Sequence, residues 1–251
     1  MPARDVGITL LPYDSSRHRE RMGAGPSHLV SHGLLERLSA AGHAASVTEL
    51  APTSGSWIAE IGTAFDLDRQ LAASVAVTVA RGAFPLTLAG NCISSIGTLG
   101  GLGTGPTGVL WFDAHGDLNT PESTLGGFLD GMALAIATGR CWIGLAATVP
   151  GFTPVAEENV VLVGARDLDP AEGELLRASR VQHLPSDAPT SRIASAIEVR
   201  GRSRRTTPRT TSTVGCARRR SRLPSRSPRA RAEGDVPEVA RCGASHRPPY
   251  S

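Results

Sequence analysis

The 251-residue sequence contains no lysine: all 26 of its basic residues are arginine, a usage that indicates GC-rich coding rather than a physical need. It also lacks closely spaced cysteines, because Cys92, Cys141, Cys216 and Cys242 form no Cys-x-x-Cys pair. This spacing indicates neither a zinc knuckle nor a disulfide framework. No apolar run approaches the roughly 18 residues of a membrane span, and no basic-then-apolar leader opens the chain. We therefore expect a cytoplasmic protein with no membrane contact.

Charge is distributed very unevenly along the chain. Residues 1–199 hold 12 arginines and 20 acidic residues, a net charge of −8, whereas residues 200–251 hold 14 arginines and 3 acidic residues, a net charge of +11. The second segment has few sizeable aliphatic residues, namely Val214, Leu223, Val236 and Val239. Such a composition does not supply a hydrophobic core. We therefore expect an α/β domain over 1–199 and a disordered, Arg/Ser/Pro-rich tail over 200–251, with the C-terminal strands of the domain absent.

Within the first segment, short apolar runs alternate with helical patterns. The runs predict strands at 6–11, 47–50, 84–88, 108–112 and 160–164, and apolar residues at helical spacing predict helices at 27–41, 65–81 and 128–138. This alternation is typical of parallel βαβ units with right-handed crossovers. In such sheets, active sites lie beyond the carboxyl ends of the strands.

Three ionisable side chains follow the predicted strand at 108–112. Asp113 and His115 are two residues apart, so that at a strand end they point to the same side, and Asp117 lies in the loop that follows. Two carboxylates and an imidazole brought together are ligands for a divalent metal, and the oxygens favour a hard ion such as Mn²⁺. The alternative is a polar turn with no ligand role.

The run Asp113-Ala-His115-x-Asp117-x-Asn119-Thr-Pro resembles the metal motif of the arginase/agmatinase/formimidoylglutamase (ureohydrolase) family. The resemblance implies a three-layer α-β-α fold with a mostly parallel sheet, and hydrolysis of a guanidino or amidino C–N bond at two Mn²⁺ ions. It implies that Asp113 bridges the metals, that His115 and Asp117 bind one each, and that Asn119 contacts a substrate carboxylate. The implied partner is a small guanidino or amidino compound, and a homo-oligomer is compatible with this family.

Weaker resemblances lie on either side of this motif. Asn91-Cys92 stands where the family has Asp-His in a Gly-Gly-Asp-His-Ser segment, so the resemblance makes Cys92 a metal ligand. A thiolate shifts the preference towards Zn²⁺ or Fe²⁺; alternatively, Cys92 is a small buried thiol that only packs. The resemblance also implies that Asp169 and Glu172 hold the amino end of the substrate. Asp169-Pro170 is equally typical of a helix start, which alone explains both acidic residues.

The chain departs from the family in several places. Gly126 and Phe128 replace substrate-contacting residues, and Asp130 stands where arginases carry a proton-relaying histidine. The expected later strand with Asp-x-Asp, which supplies the second carboxylate pair for the metals, is absent, and the basic segment follows. That segment is either a natural tail that binds nucleic acid or another polyanion or the product of a shifted reading frame.

These departures leave three hypotheses for function. The first is an impaired urea-releasing hydrolase of the ureohydrolase type. The second is a non-catalytic remnant that binds at most one metal and acts through its basic tail. The third is amide hydrolysis of the histone-deacetylase type on a related fold, which the Asn-Thr-Pro continuation of the motif fits less well.

Overall fold

The computed structural model describes residues 3–53, 59–103, 105, 107–202 and 212–215. The strands are β1 Val6–Leu11, β2 Tyr13–Asp14, β3 Arg17–His18, β4 Ala45–Glu49, β5 Phe84–Ala89, β6 Val109–Phe112, β7 Val160–Val163, β8 Gln182–Leu184 and β9 Ser212–Gly215. The α-helices are α1 Gly25–Ser31, α2 Leu34–Ala40, α3 Glu60–Ala80, α4 Ser95–Leu102, α5 Ala133–Ala137, α6 Ile143–Ala146, α7 Pro170–Ala178 and α8 Thr190–Arg202.

The strands pair in parallel apart from one small hairpin. One sheet has the order β4-β1-β5 and another the order β8-β7-β6-β9, and every pairing within them is parallel. The hairpin β2-β3 is antiparallel. Alternating helices and strands thus form the α/β architecture that the sequence predicts.

Helices cover both faces of β1. Val6, Ile8 and Leu10 pack in one cluster with apolar residues of α1 and α2. On the opposite face, Thr9 Oγ1 lies 2.8 Å from Ser74 Oγ of α3. The side chains alternate because successive residues of a strand point to opposite faces.

The second sheet is covered in the same way. Trp111 and Leu162, both fully buried, belong to the main core, to which α4 and α5 also contribute. Val161 and Val163 point to the other face, where Ile193 and Ala196 of α8 pack. The arrangement is therefore three layers, with helices on either side of mostly parallel strands.

Some predicted elements differ from those in the structure. The helix predicted at 27–41 is two helices, because Gly33 adopts φ +88° and breaks the hydrogen-bonding ladder between α1 and α2. The helix predicted at 65–81 begins earlier, at Glu60. The helix predicted at 128–138 starts as a 3₁₀ turn, Leu129–Met132, and becomes α-helical only in α5.

The C-terminal boundary also differs in part. The expected domain end at residue 199 falls inside α8, and Ser212–Gly215 form a strand beside β6. The expectation that no strand follows residue 199 is wrong for these four residues, because pairing uses backbone groups and β-branched Thr213 and Val214 favour extended structure. The rest of the predicted tail beyond Arg202 lies outside the described residues.

Backbone contacts group residues Met1–Arg218 into one compact unit. Within the part of the chain that the structure describes, no helix combines the length and the apolar character that a membrane crossing requires.

Candidate metal centre

Three predicted ligands meet beyond the carboxyl ends of β5 and β6. Cys92 follows β5, and Asp113 and Asp117 follow β6. One ligand atom from each lies within 4.8 Å of the other two, and all three residues are buried. The thiol of Cys92 donates to Asp113 Oδ2 at 4.0 Å. The sheet brings them together because parallel strands end at the same edge.

The donor set fits one divalent cation. Two buried carboxylates this close repel each other when both are ionised, and a divalent cation between them would offset that repulsion. A thiolate with two carboxylates supplies three protein ligands, the number that a single-ion hydrolytic zinc site uses. The thiol favours Zn²⁺ or Fe²⁺, whereas carboxylates alone favour Mn²⁺.

His115 lies beside this group rather than within it. Its Nδ1 is 3.1 Å from Asp113 Oδ1, and its backbone N–H donates to the same oxygen at 3.0 Å. Its Nε2 is 3.9 Å from Asp167 Oδ2, and its side chain is 37% exposed. The structure therefore places three of the four predicted ligands together and His115 in contact with one of them. No role for Asp167 was predicted from the sequence, although it lies only two residues before Asp169.

A tight turn carries Asp117 into the site. Asp117 adopts φ +51°, a conformation that is costly for a residue other than glycine. A side chain at Gly116 would place its Cβ 2.8 Å from Glu172 Oε1, so only glycine allows this approach. Glu172 Oε1 in turn accepts the N–H of Leu118 at 3.0 Å. The buried Glu172 thus packs closely against Gly116, before Asp117, and accepts a hydrogen bond from Leu118, after it.

Asp169 and Glu172 form a capping box at the start of α7. The side chain of Asp169 accepts from the backbone of Glu172, and Glu172 Oε2 accepts the Asp169 N–H at 3.3 Å. Burial raises the pKa of Glu172, the N–H groups of Leu118 and Asp169 oppose that rise, and the nearby Asp169 carboxylate reinforces it. Glu172 therefore has a defined structural role without any substrate.

Asn119, the third predicted substrate residue, contacts one of these acidic residues. Its Nδ2 donates to Asp169 Oδ2 at 3.1 Å, and its Oδ1 accepts from Ser123 Oγ at 2.9 Å. Asn119 and Asp169 therefore lie side by side. Asp169 is less buried than Glu172 and is the better placed of the two acidic residues to meet a small molecule.

Asp130 pairs with the residues that flank Cys92. Its Oδ2 accepts from Asn91 Nδ2 at 2.6 Å, and its Oδ1 accepts the backbone N–H of Ile93 at 3.3 Å. Asn91 and Asp130 both depart from the family pattern in the sequence, but the hydrogen bond between them was not predicted. The only available signal was that the two departures occur together.

The strand beside β6 brings no carboxylate to the site. In the register of β6 and β9, Phe112 lies opposite Gly215, and β9 has the sequence Ser-Thr-Val-Gly. Among the described residues, the Cys92, Asp113 and Asp117 group is the one cluster of three or more metal-binding side chains. The described part of the centre therefore offers ligands for one ion.

Comparison with known proteins places this geometry in context. Residues 4–204 match the model of the Arginase family. The arginase of Bacillus caldovelox is 31% identical over 191 residues, which cover 71% of this chain and 64% of that protein. The arginase of Bacillus subtilis is 33% identical over 185 residues, covering 70% and 62%. The crystal structure of the Bacillus caldovelox arginase superposes with a TM-score of 0.69 at 28% identity, covering 80% of this chain and 72% of that one. The chain thus spans less than two thirds of the length of these curated relatives.

Proposed function

The chain belongs to the arginase family, and from this premise we propose that its fold serves metal-dependent hydrolysis of a guanidino or amidino C–N bond, with impaired turnover in this sequence. The observation that carries the proposal is the buried group of Cys92, Asp113 and Asp117, whose ligand atoms lie within 4.8 Å of one another at the strand ends. A divalent cation bound between these groups would offset the mutual repulsion of the two buried carboxylates.

In this proposal Cys92, Asp113 and Asp117 hold one divalent ion, and His115 is the fourth ligand that the motif implies. Zn²⁺ or Fe²⁺ suits the thiolate, whereas Mn²⁺ is the ion implied by the family resemblance. When bound, such an ion supplies Lewis acidity that activates water and offsets negative charge.

Asn119 and Asp169 orient the substrate in this proposal. The Asp169 carboxylate attracts a cationic amino or guanidino group of the substrate. Asn119 donates to Asp169 Oδ2 at 3.1 Å and so fixes the orientation of that carboxylate. Glu172 acts through the loop, because its two oxygens accept from Leu118 and Asp169. We therefore assign Glu172 to positioning Asp117 and the α7 start rather than to direct substrate contact.

Impairment follows from the missing second carboxylate pair. The family motif implies two cations that share a bridging carboxylate, but β9 beside β6 carries none. Without a second cation, the charge that develops during hydrolysis is less well stabilised. Losing electrostatic stabilisation of several kcal/mol lowers a rate by several powers of ten.

The test is urea release from arginine, agmatine, guanidinobutyrate and guanidinopropionate, each with Mn²⁺, Zn²⁺ or Fe²⁺ supplied. We expect no turnover, or turnover far below about 1 s⁻¹, and loss of any residual activity in His115→Ala. Turnover near that value on any of these compounds, abolished by His115→Ala, would show that the site is intact and the impairment wrong.

The basic segment favours a second candidate, a non-catalytic remnant that binds polyanions. Residues 200–251 carry a net charge of +11, which attracts nucleic acid through salt-dependent contacts. We nevertheless favour a shifted reading frame, because the composition changes just where the second carboxylate pair is expected. Re-reading the encoding DNA beyond codon 199 distinguishes the two. An Asp-x-Asp strand in another frame supports the shift, whereas its absence, together with salt-sensitive DNA binding by the full chain, supports the tail.

A further inference from the structure

We propose that Asp130 is a positioning residue that, together with Asn91, holds the Cys92 segment against the metal centre. The proposal rests on the proposed function in one respect: it takes Cys92 as a ligand. Asp130 itself lies outside the group of three ligand atoms, so it acts through Cys92 rather than on the ion directly.

Asp130 forms hydrogen bonds with the residues immediately before and after Cys92. One carboxylate oxygen accepts from the side chain of Asn91, immediately before Cys92, and the other accepts the backbone N–H of Ile93, immediately after it. Asp130 is 6% exposed and Cys92 4% exposed, so water competes little for these bonds. Fixing both neighbours fixes the backbone from which the Cys92 side chain projects.

Other contacts also hold this segment in place. Ser94 Oγ donates to the carbonyl oxygen of Asn91 at 2.7 Å, across the short 3₁₀ turn Cys92–Ser94. Ahead of the turn, a Cβ at Gly90 would lie 2.3 Å from the Tyr13 carbonyl oxygen, so the chain is packed closely there as well. Asp130, in the Leu129–Met132 segment, contacts this turn through its hydrogen bonds to Asn91 and Ile93.

The same contacts argue against a proton-relay role for Asp130. Each of its oxygens accepts from a protein donor, and a relay must exchange protons with water or substrate. Asn91 and Asp130 also complement each other chemically, because an amide donates where a carboxylate accepts. Exchanging the two residue types reverses the direction of the bond and preserves it, which provides a sharp test.

The experiment uses the full chain in a Cys216→Ser/Cys242→Ser background, so that Cys92 and Cys141, both buried and neither in a disulfide, are the remaining thiols. The variants are Asp130→Ala, Asn91→Asp, and the exchanged pair Asn91→Asp/Asp130→Asn. The first readout is the rate of Cys92 alkylation in the metal-free protein, measured by peptide mass with Cys141 as the internal reference. The second is the thiolate-to-cobalt charge-transfer band on titration with Co²⁺, with Cys92→Ser as the negative control.

We expect the rate of Cys92 alkylation to rise by about tenfold or more in Asp130→Ala and in Asn91→Asp. The rate at Cys141 should stay unchanged in both variants. In the exchanged pair, the rate at Cys92 should return to that of the parent. Co²⁺ affinity should fall by about 10–100-fold in the single variants, as is usual when an outer partner of a ligand is lost, and should recover in the exchanged pair. Equal acceleration at Cys92 and Cys141, or no change in Asp130→Ala, would overturn the proposal. If alkylation behaves as expected but even the parent shows no cobalt–thiolate band, the positioning role stands and the ligand assignment of Cys92 in the proposed function fails.

Discussion

At the proposed metal centre the thiol of Cys92 lies beside two carboxylates, and the identity of that one side chain would set the metal preference. Carboxylate ligands suit Mn²⁺, imidazole is intermediate in softness, and a thiolate favours softer ions. Cys141, the other buried thiol among the described residues, lies outside the ligand group. Burial and the nearby Glu122 raise the pKa of Cys141 to about 11, which keeps it a protonated, slowly reacting thiol.

We therefore predict that Cys92→His shifts metal selection from Zn²⁺ towards Mn²⁺, and that Cys92→Ser weakens Zn²⁺ binding by about tenfold or more. The measurement is metal content after incubation with equal Zn²⁺ and Mn²⁺ followed by dialysis. Cys141→Ser is the matched control and should leave the ratio unchanged. An unchanged ratio in Cys92→His would mean that position 92 does not contact the ion.

Asp68 is a second residue whose buried state has a measurable consequence. It is 1% exposed, its Oδ1 accepts from Gly97 N–H at 3.2 Å, and among the described residues its Oδ2 has no hydrogen-bond partner. Burial raises the pKa of Asp68 well above 3.8, the Gly97 hydrogen bond opposes this, and the charge of Asp130 adds to it. The folded state therefore binds this proton more tightly than the unfolded state does.

The stability that this proton provides is fully present below the unfolded pKa and is lost as the pH rises through the folded pKa. We predict that Asp68→Asn, which cannot ionise, raises the melting temperature relative to the parent more at pH 8 than at pH 5. Each kcal/mol corresponds to about 2–4 °C for a chain of this size. Thermal melts at both pH values measure this, with the exposed Asp187→Asn as the control. A difference in melting temperature between parent and variant that does not change with pH would contradict the raised pKa of Asp68.

At the scale of elements, the α7 start connects the capping box to the loop that carries Asp117. Replacing Asp169 by alanine removes the cap and the partner of Asn119, whereas serine restores a capping oxygen without the carboxylate. We predict that Asp169→Ala lowers the free energy of unfolding by about 0.5–2 kcal/mol relative to Asp169→Ser. Urea denaturation measures the difference. Equal stability of the two variants would show that the cap contributes nothing.

The packing of α4 on α3 depends on small residues at the contact. A Cβ at Gly101 would lie 2.4 Å from Val75 Cβ, whereas one at Gly173 of α7 would meet no heavy atom within 4 Å. We predict that Gly101→Ala destabilises the fold by about 1–3 kcal/mol through overpacking. Gly173→Ala, the matched control, should stabilise by about 0.5–1 kcal/mol. Denaturation midpoints of both variants check this, and a neutral Gly101→Ala would mean that the two helices are not in close contact.

Elements that are marked by a pattern within their own few residues could be predicted from the sequence. The strands at β1, β5, β6 and β7 follow apolar runs, and the α7 start follows from Asp-Pro. The break at Gly33 was not predicted, because the leucine spacing continues across it. The Asn91–Asp130 bond joins residues 39 apart and leaves no periodic signal. The convergence of Cys92, Asp113 and Asp117 could be predicted because all three follow the carboxyl ends of parallel strands. The position of His115 beside Asp167 depends on side-chain packing, which the spacing of residues in the sequence does not reveal.

At the scale of the whole molecule, the chain combines a family domain with a segment of opposite charge. Four residues of that segment form β9 beside β6, in a position adjacent to the metal centre. Because β9 supplies no carboxylate, the centre depends on the ligands that follow β5 and β6. We therefore propose that the chain holds one divalent ion, not two.

The most direct test is elemental analysis of the full chain after saturation with Zn²⁺ or Mn²⁺ and dialysis. We predict at most one ion per chain, with Zn²⁺ retained better than Mn²⁺ and metal retention lost in Asp113→Ala. Two Mn²⁺ ions per chain, or retention unaffected by Asp113→Ala, would contradict the account.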